Sequence, residues 1–165
     1  MRLMQMVIDG LEFARRDNRA CGQLAVAELQ RVAEFLVSAK GELDCEVRGG
    51  QSEDDRGHFE LRLKIKGELQ LRCQRCLGAL RFPLNLNKRL RLVGPGAEWP
   101  EDNVEDEGSD AVEASGEMGV GSLIEDEVLL ALPISPRHET CNTPQQQGTK
   151  QDASPFAVLR NLKTD

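Results

Sequence analysis

Apolar and polar residues alternate along residues 59–73. Phe59, Leu61, Leu63, Ile65, Leu69, Leu71 and Cys73 hold the odd positions, and Glu60, Arg62, Lys64, Lys66, Glu68, Gln70 and Arg72 the even ones. A period of two puts the two sets on opposite faces of a β-sheet. The run is long for one strand, so the pattern predicts a bend or bulge at Gly67. The pattern returns over 80–93, where Leu80, Phe82, Leu84, Leu86, Leu90 and Leu92 oppose Arg81, Asn85, Asn87, Arg89 and Arg91. Lys88 breaks that register and is expected at an edge or bend. A third strand is predicted over 42–48, with Leu43, Cys45 and Val47 on its apolar side. The turn CQRCLGA joins the two longer segments, which makes them an antiparallel hairpin or meander with an aliphatic and a basic face.

Elsewhere the period lengthens. Val26, Leu29, Val32, Ala33 and Leu36 recur at three- and four-residue steps and predict a helix over 24–37. Leu123, Ile124, Val128, Leu129 and Leu132 predict a second over 121–132, with Ser122 as its N-cap, Glu125–Glu127 on its solvated side and Pro133 as its stop. Met4–Ile8 reads as a short strand. Residues 94–119 carry many acids, glycine and serine with no period, and read as a mobile acidic loop. Residues 142–153 read as a polar loop before a short C-terminal helix, in which Ser154 caps, Pro155 opens and Phe156, Leu159 and Leu162 form the apolar side. The fold expected is a single α+β domain over 1–165, an antiparallel sheet packed against a few helices.

Composition narrows the class. The longest apolar run, Val128–Ile134, is seven residues with a proline inside, far short of the roughly 20 a membrane helix needs. No secretory leader is read at the N-terminus. Five cysteines fit a reducing, cytoplasmic setting better than a disulfide framework. The formal net charge is −7, yet Leu61–Val93 holds nine lysines and arginines against one acid, Glu68. No lysine or arginine occurs between Arg91 and Arg137. Such segregation points to an anionic partner for the basic strands. Arg62, Lys64, Lys66, Arg72, Arg75, Arg81, Arg89 and Arg91 are the candidate phosphate contacts. The opposite reading is that they keep an exposed sheet soluble or pair with acids of the same molecule.

The cysteines allow three readings. Cys73-x-x-Cys76 gives two thiolates at a turn, and His138-x-x-Cys141 gives a second close pair, so the four would make a Cys3His zinc set. A redox pair would open a helix, whereas strand residues follow here. In the third reading Cys73 is a small core residue and Cys76 belongs to the turn. Cys21 and Cys45 have no near partner and read as structural, and His58 as a solvated imidazole. No P-loop, dinucleotide fingerprint or Ser-His-Asp arrangement is present, so no enzyme and no small-molecule substrate is expected.

Three stretches together resemble the bacterial YceD family, the large ribosomal RNA subunit accumulation proteins. They are LRCQRCLGAL (71–80), LIEDEVLLALPISPRHETC (123–141) and SPFAVLRNLK (154–163). The resemblance implies a cytoplasmic, non-enzymatic factor for the synthesis, processing or stability of 23S ribosomal RNA. Its partners would be large-subunit rRNA or its precursor, a ribosomal protein, or both. The outward positions of the strands hold no aromatic residue, so direct RNA contact would be electrostatic rather than by base stacking. The alternative is an acidic interaction module whose loop 94–119 shields a basic ribosomal protein without touching RNA.

Overall fold

A computed structural model of the chain describes residues 2–52, 57–99 and 109–141. A 3-10 turn (Leu3–Gln5) leads into β1 (Val7–Ile8) and α1 (Gly10–Arg15). β2 (Arg19–Ala25) is followed by a second 3-10 turn (Val26–Glu28), the single-turn α2 (Gln30–Ala33) and β3 (Leu36–Ser38). The long strands β4 (Glu42–Gln51), β5 (Phe59–Arg72) and β6 (Ala79–Val93) come next. β7 (Ser109–Glu113), β8 (Met118–Gly119) and α3 (Val120–Ala131) complete the described fold.

The main sheet runs β2-β4-β5-β6-β7, with β3 also paired to β5. Its pairings are antiparallel except for β7, which lies parallel to β6 at one edge. β1 and β8 form a separate two-stranded ribbon. The architecture is α+β, as the patterning predicts. Leu43, Val47, Leu61, Leu63, Ile65, Leu69, Leu71 and Leu90 are fully buried on the aliphatic face, and α3 adds Ile124 and Val128. Among the described residues, no helix is long and apolar enough to cross a membrane.

Several expectations need correction. Ser122, expected to cap the second helix, lies inside it, because α3 begins at Val120 after Gly119 and no side chain caps it. The helix predicted over 24–37 is instead a strand end, a 3-10 turn, one helical turn and a strand. Leu24, Val26, Leu29, Val32 and Leu36 are all buried, as a helical stripe would require. Leu24 belongs to the end of β2 and Val26 to the 3-10 turn that follows, so a stripe at helical spacing is shared among four short elements. The bulge expected at Gly67 is absent, because β5 and β6 stay in register through Gly67 and Leu84. What changes at Gly67 is the other neighbour. The β4 ladder stops at Asp44 opposite Lys66, and β3 takes over at Gln70 and Leu71. A Cβ on residue 67 would meet Leu43 Cδ2 at 2.5 Å and the Glu42 carbonyl at 3.0 Å, so close backbone approach requires glycine there.

The segment 94–119, read as an acidic loop, contributes β7 and β8 at its C-terminal end. Its residues 100–108, the polar loop 142–153 and the C-terminal helix expected after Ser154 lie outside the described residues. Finally, Glu125 and Glu127 are buried rather than solvated. Glu125 accepts the backbone N–H of Arg31 at 2.7 Å and its Nε–H at 3.0 Å, which ties α2 to α3. Burial raises the Glu127 carboxyl above its ordinary value, against a lowering by Lys88.

The N-terminus is more structured than a single strand. Asp9 caps α1 by accepting the Glu12 N–H at 2.8 Å. Gly49 lets α1 lie directly on β4, since a Cβ there would meet Ala14 Cα at 2.6 Å.

Candidate metal centre and basic face

Residues 73–78 connect β5 to β6. Cys73 donates its N–H to the Gly78 carbonyl at 2.9 Å and accepts from the Leu77 N–H at 2.9 Å, which closes the turn on itself. Leu77 takes φ +61°, a conformation costly for a branched aliphatic residue and maintained by these bonds. The winding turns backbone N–H groups inward, and the Arg75 N–H lies 3.4 Å from Cys73 Sγ. One further bond attaches the second segment. Gln74 donates its N–H to the Pro136 carbonyl at 2.8 Å, which lays the chain after α3 against the turn.

That attachment brings the sulfur and imidazole groups together. Cys76 Sγ is 3.4 Å from His138 Nδ1, and Cys73 Sγ is 4.0 Å from Cys141 Sγ. One donor atom from each of Cys73, Cys76, His138 and Cys141 lies within 4.8 Å of all the others, so the four could hold a metal ion. A tetrahedron with Zn–S bonds of about 2.3 Å has sulfur–sulfur edges of about 3.8 Å. His138 Nε2 lies 3.0 Å from the Ala79 carbonyl, which can only accept. Nε2 therefore carries a proton and donates, which leaves Nδ1, facing the sulfurs, as the ring nitrogen that would ligate a metal.

The electrostatics agree. Burial pushes the Cys73 thiol up, but the backbone N–H groups of Cys76, His138 and Arg75, with the Cys76 side chain, outweigh it and bring it down to about 5. Burial and hydrogen bonds to Cys76 and Cys73 push the Cys141 thiol up. A bound metal ion would displace the protons that these thiols carry. Cys45 behaves oppositely: burial raises its thiol to about 11, and it packs as a core residue. Cys21 is exposed on β2, and all five cysteines are free thiols.

The basic strands present a second feature. Arg48, Arg62 and Arg89 stand side by side across β4, β5 and β6. Lys64 stands between Glu46 and Asn87, and Lys66 between Asp44 and Asn85. Several expected phosphate contacts are already engaged. Arg81 forks onto Glu68 at 2.6 to 3.0 Å. Arg91 Nη2 lies 2.7 Å from His58 Nε2. Arg62 Nε meets Glu60 at 2.5 Å, and Glu60 is only 3% exposed. Glu60 occupies an outward position of the alternation yet is buried, with Arg91 opposite it on β6. Lys88 lies within β6 rather than at a bend and reaches Asp110 of β7 at 3.3 Å. Lys64, Lys66, Arg72, Arg75 and Arg89 form no ion pair among the described residues. All five are exposed, with Arg72 and Arg75 at the end next to the 73–78 turn.

Sequence reading found the four cluster residues and the basic positions. It missed the Ala79 carbonyl, the Gln74–Pro136 bond and Glu60, none of which carries a local signal. It also missed an apolar groove beside the turn, lined by Phe35, Leu71, Leu129, Leu132 and Ile134 among others.

Comparison with known proteins adds one result. A family model described as "Large ribosomal RNA subunit accumulation protein YceD" matches residues 61–163. A protein of that same description from Haemophilus influenzae (strain ATCC 51907 / DSM 11121 / KW20 / Rd) is 27% identical over 172 residues, covering 97% of this chain and 96% of the relative. No solved structure matches significantly.

Proposed function

Given that the chain belongs to the YceD family of large ribosomal RNA subunit accumulation proteins, we propose that it supports 23S rRNA synthesis, processing or stability in the bacterial cytoplasm as a non-catalytic factor. The exposed face of β5 and β6 would contact phosphates of large-subunit rRNA or its precursor. The observation carrying this reading is the group of exposed cations, Lys64, Lys66, Arg72, Arg75 and Arg89, without ion-pair partners among the described residues on or beside one sheet face. Phosphate contact needs cations free to exchange small counterions for a backbone. Arg62, Arg81 and Arg91 are engaged already, so they would hold the face in shape more than bind.

Structural zinc at Cys73, Cys76, His138 and Cys141 is part of the same proposal. Three thiolates and one imidazole suit zinc, and four protein ligands leave no open position for a reacting water. The ion would fix the β5–β6 turn to the segment after α3, and so fix Arg72 and Arg75 beside it.

The test is salt-dependent binding to 23S rRNA fragments. Lys64→Gln with Lys66→Gln removes two exposed charges and should leave the circular dichroism unchanged. Two lost phosphate contacts should reduce the log–log salt slope by about 1.4 to 1.8. An unchanged slope and unchanged affinity would remove RNA contact at this face. Retention on ribosomal proteins but not on rRNA would favour a protein partner instead.

A further inference from the structure

We propose that the apolar groove beside the metal turn is the seat of the chain's own C-terminal segment, residues 154–163. The groove has a volume of about 440 Å³ and lies between α2 and β3 on one side and the end of α3 on the other. Leu71 is buried at its floor, while Phe35 on its wall is 55% exposed and Ile134 104% exposed. Large apolar side chains gathered at one concave site mark a binding surface.

Two observations select the occupant. The first is where the described chain ends. Gln74 and Pro136, which bond to each other, both line the groove, and Cys141 lies five residues beyond Pro136 against Cys73. Twelve residues, 142–153, separate Cys141 from Ser154. Extended, they reach about 40 Å, ample for a groove beside their starting point. The second is the chemistry of the segment. Phe156, Leu159 and Leu162 recur every three residues and would form one apolar stripe, with Arg160 and Lys163 beside it and Glu34 on the groove wall. A tether this short gives an effective concentration on the order of millimolar, so a free partner of equal affinity would be outcompeted below that level. Seating is tied to the metal turn, because the Gln74–Pro136 bond forms one wall of the groove.

Hydrogen exchange on the full chain reads the contact from both sides. Phe156→Asp with Leu159→Asp should speed exchange in residues 34–37 and 129–136 at least tenfold, and leave 44–51 and 59–66 unchanged. Ile134→Asp, on an exposed side chain, should speed exchange in 154–163 and keeps the test decisive if the first variant folds poorly. Unchanged exchange at both sites would overturn the proposal. So would protection that grows with protein concentration alongside a dimer in light scattering, because a second copy would then fill the groove.

Discussion

The turn at 73–78 and the open face of β4–β6 each gather residues of one chemistry, but they differ in what surrounds them. On the sheet face, acids interleave with the bases. Glu46 stands opposite Lys64, Asp44 opposite Lys66, and Glu68 holds Arg81. The charge is thereby dissipated over the surface, and only part of it remains for a ligand. At the turn nothing of the kind occurs. Three thiols and an imidazole nitrogen face one point, within a ring of backbone N–H groups that favours thiolate. The sheet face pairs part of its charge within itself, whereas the convergent sulfur and imidazole donors could hold a metal ion.

The largest expected effect breaks the turn. Cys73→Ala, or zinc chelation of the parent, should abolish stoichiometric metal and lower Tm by roughly 10 °C, taking free zinc a thousandfold above its dissociation constant. Elemental analysis with calorimetry checks both. Equal Tm with and without chelator would mean that the four donors do not work as a metal site.

A smaller effect comes from the buried Glu60. Arg62→Ala removes the cation that pairs with its carboxylate, and should cost about 2 kcal/mol by urea denaturation. Glu60→Gln in that background should recover part of the loss. An additive double variant would show that the pair is not coupled.

The smallest effect belongs to the exposed pair. Arg81→Gln should leave Tm almost unchanged, because both side chains remain solvated. A Tm drop approaching that of Arg62→Ala would erase the distinction between the open and enclosed parts of the face.

Much of this was legible in the sequence, for physical reasons. The β4, β5 and β6 strands announce themselves because one face of each turns toward the core, which favours alternation that only Lys88 interrupts in β6. The α3 helix is visible in Leu123–Leu132. Of the short elements between residues 3 and 38 only β1, within the strand read over Met4–Ile8, is visible, since two to seven residues set no reliable period and Leu24–Leu36 mimics a helical stripe. The two ligand pairs could be named from spacing, but their meeting depends on the Gln74–Pro136 bond between distant segments. The basic positions were likewise plain. Their pairing was not, because Glu68 and Asp110 reach Arg81 and Lys88 only through cross-strand register, and the burial of Glu60 beside Arg62 carries no local signal.

The β1–β8 ribbon bears on the order in which the chain is made. Val7 pairs with Gly119, the Val120 N–H donates to the Met6 carbonyl at 2.9 Å, and α3 presses on Met4 at Gly121, where a Cβ would lie 2.6 Å from the Met4 sulfur. Residues 3–8 are synthesised on the order of a hundred residues before these partners. Closing so large a loop is entropically slow and cannot begin until the partners have emerged. During synthesis this segment therefore waits for β8 and α3 before its own contacts can form.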